Sequence, residues 1–155
     1  MYAEALAWLE QSGLGHAARH SSVLFMAANV LHVLGAALVV GAIAVFDLHV
    51  ILRRGELAAS SGKIALPLAA GGLLLQVPTG LTLLAVEARA LGQNPAFYAK
   101  LAFIALGLLN LGIFHAKFGG ALRAGFIPDS ARPLAHISLL AWVLALVAGR
   151  LIAYV

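Results

Sequence analysis

The chain has 155 residues, of which 63% are hydrophobic and 10% charged, with a net charge of +4 and a mean hydropathy of +0.99. A soluble domain carries about a quarter charged residues, so the composition is that of a membrane chain, with room for a single transmembrane domain over residues 1–155. With no cysteine, disulfides, thiolate metal centres, iron–sulfur clusters and covalent haem attachment through Cys-x-x-Cys-His are excluded, and the positive charge reads as topology and lipid contact with no nucleic-acid binding.

The first 22 residues have no basic leading segment, carry Glu4 and Glu10 and lack an unbroken apolar stretch, which does not fit a cleavable signal. Tyr2 stands where myristoylation needs glycine, and there is no cysteine to prenylate or palmitoylate. Leu6, Trp8 and Leu9 beside Glu4 and Glu10 predict a short interfacial helix over residues 1–11. His16 and His20 follow at i, i+4. That spacing suits two imidazoles on one metal, one imidazole above a pocket topped by His32, or plain surface histidines.

Four apolar segments reach the length of about 20 residues that a bilayer crossing needs, and they predict an all-α four-helix membrane bundle. They fall at about 23–52, 64–86, 97–118 and 134–155. Gly55 is expected to end the first helix, and Ser60-Ser61 to cap the second. Asn94-Pro95 supplies an N-cap and a first-turn proline for the third, and Asp129 or Ser130 before Pro133 does the same for the fourth. Pro67 and Pro78 predict a kink in the second. Small-residue pairs at Ala37/Gly41 and Ala145/Gly149 predict close helix approaches, with Gly71, Gly72, Gly80, Gly107 and Gly112 serving the other two spans.

Basic residues set the sidedness. Arg53, Arg54, Lys63, Lys117, Arg123 and Arg132 fall on one side, and Arg19, Arg89, Lys100 and Arg150 on the other, which favours both termini outside.

Ionisable groups inside the spans are the functional candidates. His32 shares a face with Asn29, Gly35 and Ala36, where small residues leave room for a flat macrocycle. His115 is flanked by Gly112 and Gly119, and His136 opens the fourth span on the same side, so these two are candidates for one metal or one haem iron. His49 reads as a boundary histidine, and Asp47 as a partner for Arg53 and Arg54. At 1.5 Å per residue, His32 and His115 differ in depth by roughly 15–20 Å, so one iron cannot take both. Arg150 is placed to hold a haem propionate or to pair with Glu87. Gln76 and Asn110 read as bridges between helices.

The stretches HVLGAALVVGAIAVFDLHV, NPAFYAKLAFIALGLLNLGIFH and AWVLALVAGRLIAY resemble the three signature segments of a bacterial four-span integral membrane family of unknown function. Its pattern marks His32, Gly35, Gly41, Asp47, Asn94, Pro95, Lys100, Asn110, His115, Gly149, Arg150 and Tyr154. His49 stands where that family carries arginine, and His136 falls outside its pattern. The resemblance implies the fold, these positions and no settled activity; with a bacterial source, the basic bias places the chain in the inner membrane with both termini periplasmic. A weaker similarity runs to membrane b-type cytochromes and to copper-resistance membrane proteins of the D type.

Together these readings predict a haem b electron-transfer protein or cytochrome subunit. His32, His115, His136 and His20 are its candidate ligands, Arg150 a propionate partner, and quinol or a redox partner protein the donor or acceptor. Copper handling at His32 and His115 is the alternative, weakened by the lack of cysteine and the presence of two methionines alone. An accessory subunit of a larger membrane complex, or an oligomer, is the third.

Overall fold

A computed structural model describes residues 2–155. Two short helices, α1 (Tyr2–Gln11) and α2 (Gly13–His20), precede the long α3 (Ser22–Ile51) and α4 (Gly55–Val86). A single turn, α5 (Ala88–Leu91), leads to α6 (Pro95–Ala124), and a 3-10 turn at Asp129–Ala131 leads to α7 (Arg132–Leu151). Four helices are long and apolar enough to cross a membrane, and no strand occurs among the described residues. At 1.5 Å per residue α3, α4 and α6 each reach about 45 Å, well beyond a hydrocarbon core of about 30 Å. The fold is an all-α four-helix bundle. Both termini lie at one end of it (the terminal end), and the α3–α4 and α6–α7 corners lie at the other (the loop end).

Helix starts follow local chemistry. Ser12 and Ser21 accept from the backbone N–H of Gly15 and Leu24, each at 3.2 Å, and so cap α2 and α3. Asn94 Oδ1 accepts from Ala96 and Phe97 at 2.9 and 3.2 Å, with Pro95 opening α6 as its sequence predicts. Other boundaries move. α4 starts at Gly55, and Ser60 and Ser61 sit inside it, bonding to Leu57 O and Ala58 O. Gly55 does not end α3. Arg53 takes the left-handed conformation at that corner (φ 60°), and a Cβ on Gly55 would strike Ile127 O. Nor do Asp129 and Ser130 cap α7, which begins without a side-chain cap. α4 continues as helix through Pro67 and Pro78.

α3 packs along both α4 and α7, and α7 along α6, whereas α4 and α6 barely touch. The bundle therefore has one thin seam. α3 and α4 approach closely where a Cβ on Gly72 would lie 2.8 Å from Gly35 O and one on Gly35 would lie 3.0 Å from Gly72 O. The Ala37/Gly41 pair is not a helix contact: both residues are exposed, and nothing lies within 4 Å of a Cβ at Gly41. Gly107 instead makes room for the Trp142 ring, which would lie 2.8 Å from a Cβ there, and Gly149 lies against the Lys100 side chain. The apolar core centres on Val39, Phe46, Phe114 and Trp142, with Phe46 and Phe114 edge to face at 5.4 Å. Exposed Leu74 and Ile64, at 77% and 74%, cover the outside as lipid-facing side chains do.

At the terminal end, α1 and α2 lie across α4 and α5. Arg19 donates to Ala85 O and Val86 O, satisfying carbonyls that α4 leaves open at its C-terminus. Glu10 receives the Arg89 guanidinium at 3.0 Å and the Arg89 backbone N–H at 3.0 Å. These bonds hold the Glu10 carboxyl below its ordinary 4.5. A lowered carboxyl stabilises docking of α1 above its free value and loses that contribution as pH falls through the lowered one. The protection of α1 amides, relative to their intrinsic exchange rate at each pH, is therefore expected to fall on acidification from neutral pH. A Glu10→Gln variant should show low protection already at neutral pH and change little on acidification.

Candidate functional site

His32 lies half-buried on α3, in the half of the bundle nearer the terminal end, and each of the other three long helices reaches its surroundings. Its Nδ1 is 3.0 Å from Thr79 Oγ1 on α4. Its Nε2 is 3.3 Å from Lys100 Nζ on α6. Gln76 donates to the His32 carbonyl at 2.9 Å, and Gly80 leaves space for the ring, a Cβ there standing 3.1 Å from His32 Cε1. On α7, Gly149 gives passage to the Lys100 chain, whose Cδ would be 3.4 Å from a Cβ.

One assignment of the protons satisfies every group around the imidazole. Thr79 has one hydroxyl proton, and both carbonyls it reaches, Leu75 O and Gln76 O, lie on its own helix. With the proton given there, Thr79 Oγ1 accepts from His32, and Nδ1 carries the ring proton. Nε2 is left with a lone pair, which accepts from Lys100. A hydrogen-bond acceptor and a cationic donor thus sit side by side at membrane depth, beside the thin seam between α4 and α6. No carboxylate pairs with Lys100 among the described ion pairs.

The other candidates are placed elsewhere. His20 bonds through Nδ1 to His16 O at 2.9 Å, and the two rings stack at 4.1 Å instead of converging on a metal. Neither is a partner of His32. His115 and His136 are exposed, each bonded through Nδ1 to a carbonyl of its own helix, Leu111 O and Arg132 O. His115 lies about 140° around α6 from Asn110, whose amide donates to Leu134 O on α7 at 3.1 Å, so it faces away from that contact. Counted along α6 from Lys100, His115 is roughly 22 Å deeper than His32. Arg150 donates to Tyr154 Oη at 3.2 Å and lies 5.5 Å from that ring's centre, rather than on Glu87. His49 bonds Ser61 Oγ at 3.0 Å. Arg53 pairs with Asp129 at 3.6 Å, and the pairing expected between Asp47 and the arginines is not made.

Among the described residues no group of three or more His, Asp or Glu gathers as a metal would need. The room foreseen beside His32 is also filled: Gly35 receives the α4 backbone there. Among the described residues the His32 ring bonds Thr79 and Lys100, and no second histidine.

The sequence reading did not place Lys100 or Thr79 beside His32, nor foresee the burial of Asp47. Two signals were available. Lys100 is a charge within a span, and Gln76, Thr79 and Gly80 fall on one helical face by their three- and four-residue spacing. Neither a family model, nor a curated protein, nor a solved structure matches the chain.

Proposed function

We propose that this protein is a membrane electron-transfer subunit that holds the head group of a lipid-soluble quinol between His32 and Lys100. The observation that carries the reading is the pairing of the His32 Nε2 lone pair with the Lys100 ammonium, 3.3 Å apart. A quinol hydroxyl both donates and accepts. It can insert by giving its proton to Nε2 in a hydrogen bond and receiving one from Nζ. The oxidised quinone, which only accepts, retains the bond from Lys100. Buried donors and acceptors left unpaired are costly, so such a site rejects apolar tails and selects the polar head. The seam between α4 and α6 faces the bilayer, the phase in which such a ligand dissolves. Electrons pass onward to a redox partner protein or to another subunit of a membrane complex. In a bacterial inner membrane with periplasmic termini, the head group would lie in the outer leaflet.

The test is binding by the purified protein in lipid nanodiscs, comparing a short-tailed quinol with its dimethyl ether. Saturable quinol binding, with the ether at least tenfold weaker, is expected. Equal binding of the two would remove the reading.

Haem b on His32 is a second reading, favoured by one observation: an imidazole bonded through Nδ1 presents Nε2 in the form that ligates iron. Lys100 would have to leave Nε2 for that. A reduced-minus-oxidised visible spectrum of the same sample separates the two, since a Soret band lost in His32→Ala belongs to haem alone.

A further inference from the structure

Asp47 sits on α3 toward the loop end, 3% exposed, and its Oδ2 has no hydrogen-bond partner. Ser138 of α7 lines the same cavity as the carboxyl group. The group borders a cavity of about 30 Å³ between α3, α6 and α7, walled by Phe46, Phe114 and Trp142 and edged by Asn110 and Ser138. No second titratable side chain lines it. The titratable groups nearest along each helix are engaged elsewhere or face outward. His49 on α3 bonds Ser61, Lys63 on α4 is exposed, and His115 on α6 and His136 on α7 are exposed on their own carbonyls. Arg53 serves Asp129, and Arg132 donates to Ile51 O at 3.1 Å.

A carboxylate with no cation beside it is costly in hydrocarbon. Something must complete Asp47. Hard metal cations take six or more oxygen ligands, and this cavity presents only the side-chain oxygens of Asp47, Asn110 and Ser138. Its volume suits one water, which needs about 10–15 Å³ and two to four polar partners.

We propose that the Asp47 cavity is an internal proton-binding site, in which the protonated carboxyl donates from Oδ2 to a single trapped water. The site is independent of the quinol reading and stands on different residues. Loss of the proton leaves a bare carboxylate among aromatic walls and draws more water in beside Trp142. The cavity is thereby a place where proton uptake and hydration of the bundle are coupled.

Infrared spectroscopy of the full chain in lipid tests this directly. The other five acids, Glu4, Glu10, Glu56, Glu87 and Asp129, lie outside the apolar middle of the spans, so a protonated-carboxyl C=O band at neutral pH has one expected source. The band is expected to shift down in D2O, to shift with [4-13C]aspartate labelling, and to vanish in Asp47→Asn. Ser138→Ala should move the band and keep it. In a Trp8→Phe background, Trp142 emission should shift to the red as pH rises, and in Asp47→Asn it should not. A missing band at neutral pH, or one insensitive to aspartate labelling, overturns the proposal without any variant having to fold. A Trp142 shift driven by sodium rather than by pH overturns it in favour of a cation.

Discussion

Lys100→Met is expected to weaken quinol binding by about 10- to 150-fold while the bundle stays folded. The side chain keeps nearly its length and volume, so the passage beside Gly149 remains filled. Only the donor is lost. Hydrogen bonds to charged groups contribute roughly 1.5–3 kcal/mol, and each 1.4 kcal/mol is tenfold in affinity. His32→Leu should be of similar size, because it removes the Nε2 acceptor and supplies no other. Arg150→Met, at an exposed residue bonded to Tyr154 and not to His32, should bind as the parent does. Equilibrium binding in nanodiscs measures all three, with circular dichroism reporting the fold. Retained binding in both Lys100→Met and His32→Leu would move the ligand elsewhere.

Gly72→Leu is expected to disrupt the packing of α3 on α4 strongly. Its Cβ alone would stand 2.8 Å from Gly35 O and 2.8 Å from Val39 Cγ2, so two helix backbones must part. Overpacking costs typically about 1–3 kcal/mol, and close contact between small residues is what joins helices in lipid. Gly71→Leu is the matched control. It adds the same side chain one residue away, where nothing lies within 4 Å of the Cβ. Thermal melting in detergent should fall sharply for Gly72→Leu and little for Gly71→Leu. Quinol binding should fall with it, since α3 carries His32 and α4 carries Thr79.

Four membrane helices were legible because hydropathy over about 20 residues reports the bilayer directly. Helix ends were less so. The stretch from Gly55 to Lys63 is small and polar, yet it is helix because Ala58, Ala59 and Gly62 pack inside the molecule. Hydropathy marks where lipid begins, not where the helix does. Of the candidate site, His32 was legible as an imidazole at membrane depth. Its partners were not, since which side chain meets Nε2 depends on the rotation of α6 against α3, and no local pattern encodes that. The same holds for Asp47. Nearby arginines suggested a salt bridge, while the turn of α3 carries the carboxyl inward to the cavity that Ser138 also lines. His115 and His136 stand on the loop-end half as foreseen, but helix rotation turns both outward.

Nitrogen-15 NMR of the His32 ring in lipid, assigned by difference against His32→Gln, is the most direct measurement. The expected ring carries its proton on Nδ1 and a lone pair on Nε2, and addition of a short-tailed quinol should move the Nε2 resonance while Nδ1 holds its bond to Thr79. A proton on Nε2 in the free protein, or an Nε2 signal indifferent to quinol, would contradict the assignment of His32 and Lys100 as the head-group site.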